Sequence, residues 1–291
     1  MSTTPQFSVS EFTTWDLTFE EDVALYSRLG IDGIEICERK LDLNPAKARD
    51  QLSALRDAGL TVTSVQPRVH ALFKDFMCPD VDDPDERAGR YRSTIDLFAA
   101  AFPGESIPLV AISGIAPGSN HRAAHATARR IYPQLADYAA DMGIRIMFEP
   151  LTPLVMNTDT FICTLDEGIK LIEDVNRANF GLMLDVWHVW REPNVLPRIR
   201  AAGPRIFGVH ISDWPKQEPR RVADRIVPGE GAIDLRGIFG AIDAGSYRGA
   251  YCLEIFSDRA LADSLWNADP ADVLTRSRKA FNTLWKERRC D

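Results

Sequence analysis

The sequence predicts an α/β chain folded as a single (β/α)8 barrel domain over residues 1–291. Three observations carry that prediction. Short apolar runs alternate with longer stretches of helical period, the alternation repeats eight times, and the length fits a barrel of about 250 residues with its loops. No GxGxxG or GxxxxGK[ST] follows any of the runs, which argues against an open doubly wound sheet built to hold a dinucleotide or a nucleoside triphosphate.

The runs rich in Val, Ile and Leu predict strands at 7–9, 31–36, 61–65, 108–113, 144–149, 180–185, 206–211 and 250–255. Helices are predicted between and after them, near 19–29, 45–58, 85–101, 120–142, 165–176, 194–202, 234–244 and 270–287. "RLGIDGIEI", "DAGLTVTSV" and "DMGIRIMFE" each set a glycine just ahead of a strand, where a helix ends best on a left-handed residue. A strand-helix alternation of this kind gives a parallel sheet covered by helices. The polar, Pro-rich segment 213–233 is the longest loop candidate, and long loops in compact domains tend to be functional.

Composition excludes several classes. Hydrophobic residues make up 45% and charged residues 26%, enough apolar material for a large core. The net charge is −8 and the Lys and Arg residues are scattered, so no basic footprint for nucleic acid is present and none is expected as a partner. Cys37, Cys78, Cys163, Cys252 and Cys290 lie far apart, without a CxxC pair, and read as reduced thiols. The opening "MSTTPQFSVSEF" has neither a basic nor an apolar leader region, and no apolar run approaches the roughly 18 residues of a membrane span. A cytoplasmic protein without membrane contact is expected.

In a barrel of this type the C-terminal ends of the strands carry the chemistry. The fifth to eighth strands each end on, or next to, a residue able to hold a metal: Glu149 in "IMFEP", Asp185 in "LMLDV", His210 in "GVHIS" and Glu254 in "CLEIF". A strand-terminal acid taken alone is commonly a helix N-cap or a salt-bridge partner. Three carboxylates on one rim, each behind an apolar run, repel one another unless a cation neutralises them. One imidazole with three carboxylates suits one divalent ion, Mn²⁺, Mg²⁺, Co²⁺ or Zn²⁺, and the donor set does not choose among them.

Further candidates surround these four. His188, three residues past Asp185, reads either as a ring packed between Trp187 and Trp190 or as a donor to a substrate oxygen. Arg225 in "DRIVPGEGAID" is either solvated or folded over the rim to clamp substrate oxygens. Glu35, in "GIEI", reaches a sugar hydroxyl or pairs with Arg39 or Arg68; His70 lines the mouth after the third strand. His121 and His125 stand at i, i+4 without a third ligand and read as solvated. Trp15, Phe73, Trp187, Trp190 and Trp214 could form an apolar wall for a sugar ring or serve as packing.

The segments "GLMLDVWHVW", "VHISDW", "DRIVPGEGAIDL" and "LEIF", with the "EP" closing the fifth strand, resemble the xylose-isomerase-like sugar isomerase and epimerase barrels. The resemblance is dense over about 143–257, and "DRIVPGEGAIDL" is most similar to the inosose (2-keto-myo-inositol) isomerase branch, with D-tagatose 3-epimerase also near in motif. It implies metal ligands at Glu149, Asp185, His210 and Glu254, and substrate-binding residues at His188 and Arg225. The abasic-site endonucleases share the fold but use a richer histidine set than the five present here.

The resemblance further implies a metal-dependent isomerase or epimerase acting on a keto-sugar or an inosose-like keto-polyol. Proton transfer would pass through a metal-stabilised enediolate, with Glu149 and Glu254 as the acid/base pair. Elimination is the runner-up: a lyase or dehydratase acting on a keto-cyclitol, dehydroshikimate or a 3-keto-sugar. A sugar-binding barrel without chemistry ranks third, since it would be expected to lack a ligand. A homodimer or homotetramer is implied by the resemblance alone.

Overall fold

The computed structural model describes residues 4–156, 158–217 and 224–289. Part of the 213–233 loop, namely 218–223, lies outside the described residues, as do Cys290 and the first three residues of the N-terminal stretch. The strands are β1 (Phe7–Ser10), β2 (Gly33–Cys37), β3 (Thr61–Gln66), β4 (Pro108–Ala111), β5 (Arg145–Phe148), β6 (Phe180–Asp185), β7 (Ile206–Ile211) and β8 (Tyr251–Leu253). They are parallel, follow chain order, and close when β1 pairs with β8 through Phe7↔Tyr251, Ser8↔Cys252 and Val9↔Leu253.

The helices are α1 (Phe19–Arg28), α2 (Pro45–Asp57), α3 (Pro84–Ala101), α4 (His121–Asp141), α5 (Leu165–Val175), α6 (Val186–Val189), α7 (Val195–Ala202), α8 (Leu235–Ala244) and α9 (Pro270–Lys286). Their starts are written locally. Thr18 with Glu21 and Thr164 with Glu167 form reciprocal capping boxes, and Asn44, Asp83 and Asp269 each cap a helix that opens on proline. Their ends follow the predicted glycines: Gly30, Gly59 and Gly143 hold φ of 63°, 71° and 75° just past α1, α2 and α4. Among the described residues the α-helix not predicted is α6, four residues long and capped by Asp185, too short for periodicity to reveal.

Alternation along each strand separates two environments. Outward residues such as Val9, Ile34, Ile36, Leu109, Phe148, Leu182 and Leu184 pack under the helices in the main core. The barrel interior is divided. On the β4–β6 side, Val110, Met147 and Met183 pack together, and Gly208 leaves the space that the Met147 and Met183 side chains fill. On the β8–β3 side the buried residues are polar, namely Ser8, Ser10, Glu35, Ser64 and Gln66. This polar wall lies under the C-terminal ends of the strands.

A buried ion pair secures the loop between β3 and α3. Arg87 donates to Asp75 at 2.9 Å and to the backbone carbonyls of Ala71, Cys78 and Val81 at 2.7–3.0 Å. Both side chains are shielded from solvent. Arg87→Leu would leave Asp75 charged and three carbonyls unpaired, and is expected to lower stability by about 3–5 kcal/mol, read as a fall in the denaturation midpoint. A variant as stable as the parent would show that the loop is held by other contacts.

Candidate active site

Asp185 is the last residue of β6 and pairs in register with His210 of β7, so the two side chains start from adjacent points on the rim. Glu149 follows β5 directly and Glu254 follows β8; their backbone N–H groups continue the ladder to Ala111 and Ile211 at 2.9 and 3.1 Å. The four side chains converge, and one donor atom from each lies within 4.8 Å of the others. All four are buried.

Asp185 divides its two oxygens. Oδ1 accepts the Trp187 N–H at 2.8 Å and caps α6, while Oδ2 faces the cluster. The cap role and the site role thus coexist in one carboxylate. His210 directs Nδ1 at the cluster, 3.4 Å from Glu254 Oε2 and 3.7 Å from Glu149 Oε1, and this buried nitrogen has no hydrogen-bond partner. A buried, unpartnered imidazole nitrogen facing two carboxylates, with a third beside them, fits a divalent cation.

Arg225 also enters the cluster. Its Nη1 donates to Asp185 Oδ2 and Glu254 Oε2, both at 2.8 Å, and its guanidinium lies 5.0 Å from the Trp187 ring and 5.2 Å from the Phe256 ring. Burial between two rings removes the solvated alternative for this residue. The chain reaches this position because the loop after β7 folds back: Asp213 and Ile226 exchange backbone hydrogen bonds, and the Arg225 N–H donates to the Phe256 carbonyl.

Asp213 fixes the rest of that loop by accepting from the N–H groups of Trp214, Gly229, Gly231 and Ile233 at 2.8–3.0 Å. A Cβ on Gly231 would lie 2.2 Å from Asp213 Oδ1, which explains the glycine in "PGEG". Asp213→Ala strands four N–H groups and is expected to destabilise the chain by about 1–3 kcal/mol while weakening whatever Arg225 binds. Unchanged stability and unchanged ligand affinity would remove Asp213 from this role.

His188 sits one turn beyond Asp185. Its Nδ1 accepts the Thr152 N–H at 3.2 Å, and its Nε2 lies 3.5 Å from Asp185 Oδ2, 3.9 Å from Glu149 Oε1 and 3.3 Å from Arg225 Nη2. Thr152 N–H needs the lone pair of Nδ1 and the Arg225 guanidinium, which only donates, needs that of Nε2, so a neutral ring satisfies one of these two contacts and not both. Burial pushes the His188 pKa down to about 4, against the pull of Asp185, so the ring is neutral at pH 7. Burial likewise raises Glu254 to about 8 despite His210 and Arg225 beside it. Burial would also raise Asp185, but the Arg225 guanidinium, with His188 and His210, holds it below the usual carboxylate range.

The remaining candidates are placed differently from one another. Glu35 is fully buried and pairs with neither Arg39 nor Arg68; those arginines donate to backbone carbonyls of the adjoining loops, because Glu35 points into the barrel and they point away from it. Its Oε2 lies 2.8 Å from His210 Nε2. His70 is buried in the loop after β3, with Nδ1 3.2 Å from the Pro67 carbonyl. His125 packs edge-on against Phe161, with centroids 5.0 Å apart, so it is half-buried rather than solvated, whereas His121 is exposed.

The expected aromatic wall also differs. Phe73, Trp187 and Trp214 are buried, and Trp214 stacks near both Trp187 (4.7 Å) and Trp190 (5.8 Å). Of these rings Trp187 packs against Arg225, and Phe73 packs instead against Phe161, with centroids 5.9 Å apart. Phe256, against Arg225, and Gln66, beside Glu254, stand outside the expected set. "LEIF" carries the first signal, two residues past Glu254, whereas a glutamine closing a strand gives none.

The family model described as xylose isomerase-like TIM barrel matches residues 23–283. The chain belongs to this family. A 3-dehydroshikimate dehydratase of Pseudomonas aeruginosa is 28% identical over 250 residues, which is 83% of this chain and 36% of that protein. An L-ribulose 3-epimerase of Methylomonas sp. is 33% identical over 155 residues, 52% of this chain and 49% of the relative. An inosose isomerase of Bacillus subtilis is 28% identical over 129 residues, 43% and 45% of the two chains. These matches span about a third to a half of the curated relatives' lengths. A solved structure of the IOLI protein with a bound zinc atom superposes with a TM-score of 0.77 at 19% identity, covering 98% of this chain and 100% of that one. Among the described residues no helix is long and apolar enough to cross a membrane, and Cys37, Cys78, Cys163 and Cys252 are unpaired thiols.

Proposed function

We propose that this barrel is a divalent-metal-dependent isomerase or epimerase of a keto-sugar or an inosose-like keto-polyol. The observation that carries the reading is the convergence of Glu149, Asp185, His210 and Glu254 around the unpartnered Nδ1 of His210. These four residues would hold the ion, and Mn²⁺, Mg²⁺, Co²⁺ and Zn²⁺ all suit the donor set. A divalent ion there supplies Lewis acidity, polarising the substrate's carbonyl and an adjacent hydroxyl and stabilising the negative charge left by proton removal.

The chain's own groups do the rest. Glu149 and Glu254 enter from β5 and β8, on different sides of the rim, so that one takes the proton α to the carbonyl and the other returns a proton to the neighbouring carbon or to the opposite face. The Nε2 of His188 and the Nη2 of Arg225, 3.3 Å apart, face the same space, and both would contact a substrate oxygen placed there. Trp187 and Phe256 hold the Arg225 plane so that it does not swing away.

A second reading is favoured by one observation. Two matches that each span 83% of the chain are to 3-dehydroshikimate dehydratases, so the same proton abstraction followed by loss of a β-hydroxyl is the competing outcome. A sugar-binding barrel without chemistry accounts less well for four convergent ligands.

Incubation of Mn²⁺-loaded protein in D₂O with a panel of ketoses, inososes and 3-dehydroshikimate, followed by NMR, separates these. Deuterium incorporated with the carbon count and oxygen content retained supports isomerase or epimerase; loss of water supports dehydratase; no exchange with any compound supports the binding barrel. Chelator-stripped protein is expected to lose turnover and to regain it on adding back one ion per chain. Full activity after stripping would overturn metal dependence.

A further inference from the structure

Glu35 lies behind His210, away from the mouth. Its Oε2 accepts from Ser64 Oγ at 2.6 Å and lies 2.8 Å from His210 Nε2, and its Oε1 is 3.4 Å from Gln66 Nε2. The same Gln66 amide is 3.4 Å from Glu254 Oε1. Glu35 is wholly shielded from solvent and Ser64 and Gln66 nearly so.

We propose that Glu35 is the positioning residue for His210, held in place by Ser64 and Gln66, and that it makes Nδ1 the nitrogen His210 offers to a metal. This rests on reading the four-residue cluster as a cation site. An ionised carboxylate only accepts hydrogen bonds, so the His210 nitrogen facing it carries the hydrogen. That nitrogen is Nε2, so in the neutral ring that a metal ligand must be the lone pair lies on Nδ1, which faces Glu149 and Glu254. Ser64 occupies the oxygen that His210 uses, which limits rotation of the Glu35 carboxylate. Gln66 spans Glu35 and Glu254, so the support of the imidazole and the orientation of Glu254 are mechanically joined.

A carboxylate on the far nitrogen of a ligating histidine fixes the ring and raises its basicity, and its loss costs about 10–100-fold in metal affinity. Glutamine at this position has nearly the same shape but can turn its amide N–H₂ toward Nε2. His210 would then carry its hydrogen on Nδ1 and lose the ligating lone pair.

The test is Zn²⁺ affinity of the full chain, by competition with a chelating dye, for the wild type, Glu35→Gln and Ser64→Ala, with ring-nitrogen NMR of His210 in the zinc-loaded wild type. The expected result is a proton on Nε2 with zinc on Nδ1, affinity about 10–100-fold weaker in Glu35→Gln, and a smaller loss in Ser64→Ala. Affinities of both variants within two-fold of wild type, or a proton on Nδ1 of the loaded wild type, would overturn the proposal. If Glu35→Gln fails to fold, unchanged affinity in Ser64→Ala overturns it. A wild type that binds no zinc would instead overturn the cation-site reading, and this inference with it.

Discussion

Glu254→Gln and Glu149→Gln are each expected to lower kcat by about 10²–10⁴ while the barrel stays folded, because a single positioned acid or base contributes on that order. Glutamine keeps the shape and one acceptor oxygen of each side chain but cannot take up a proton. Both positions lie past the last residues of β5 and β8, so the backbone ladders that close the barrel do not depend on their side chains. For Glu254 the substitution also relieves a desolvated carboxylate, so the metal-free variant should be at least as stable as the parent. Losses below ten-fold in both variants, with substrate exchange in D₂O retained, would remove these residues from proton transfer.

Arg225→Met is expected to produce the largest change in stability among the site variants. The Nη1 of Arg225 bridges Asp185 and Glu254, and its removal leaves Asp185 buried without the cation that holds it in its charged form. Breaking one side of a buried ion pair costs about 3–5 kcal/mol. Methionine preserves much of the contact with Trp187 and Phe256, so the loss reports charge more than packing. Because a divalent ion would supply part of the missing positive charge, Mn²⁺ should raise the melting temperature of Arg225→Met by more than it raises that of the wild type. Equal stability of the two proteins in chelator would show that Arg225 does not neutralise the cluster.

Much of this molecule is legible in its sequence because the signals are local. Strand and helix limits fall within two residues of the predicted ones, since hydrophobic period, capping residues and the glycines at 30, 59 and 143 all act over one turn of chain. The cluster of Glu149, Asp185, His210 and Glu254 could be anticipated because each interrupts or ends an apolar run where a charge is costly.

What escaped the sequence depends on register and on loops. The meeting of Glu35, from β2, with His210, from β7, is set by the width of the closed barrel, and its contact with Ser64 follows a register shift between Ile34 and Glu35. Asp213 binds backbone groups 16 to 20 residues away, which no periodicity encodes. The tryptophans near His188 read equally as a wall for a sugar ring or as packing, and Trp187, Trp190 and Trp214 pack on one another, because a pattern of large apolar residues does not reveal which neighbour buries them.

The central claim is that Glu149, Asp185, His210 and Glu254 hold one divalent ion. Anomalous scattering from a crystal of the protein grown with Mn²⁺ tests it most directly. The account predicts a single strong peak per chain, within bonding distance of His210 Nδ1 and the three carboxylates. No peak at that position, with Arg225 still bridging Asp185 and Glu254 at saturating Mn²⁺, would contradict it.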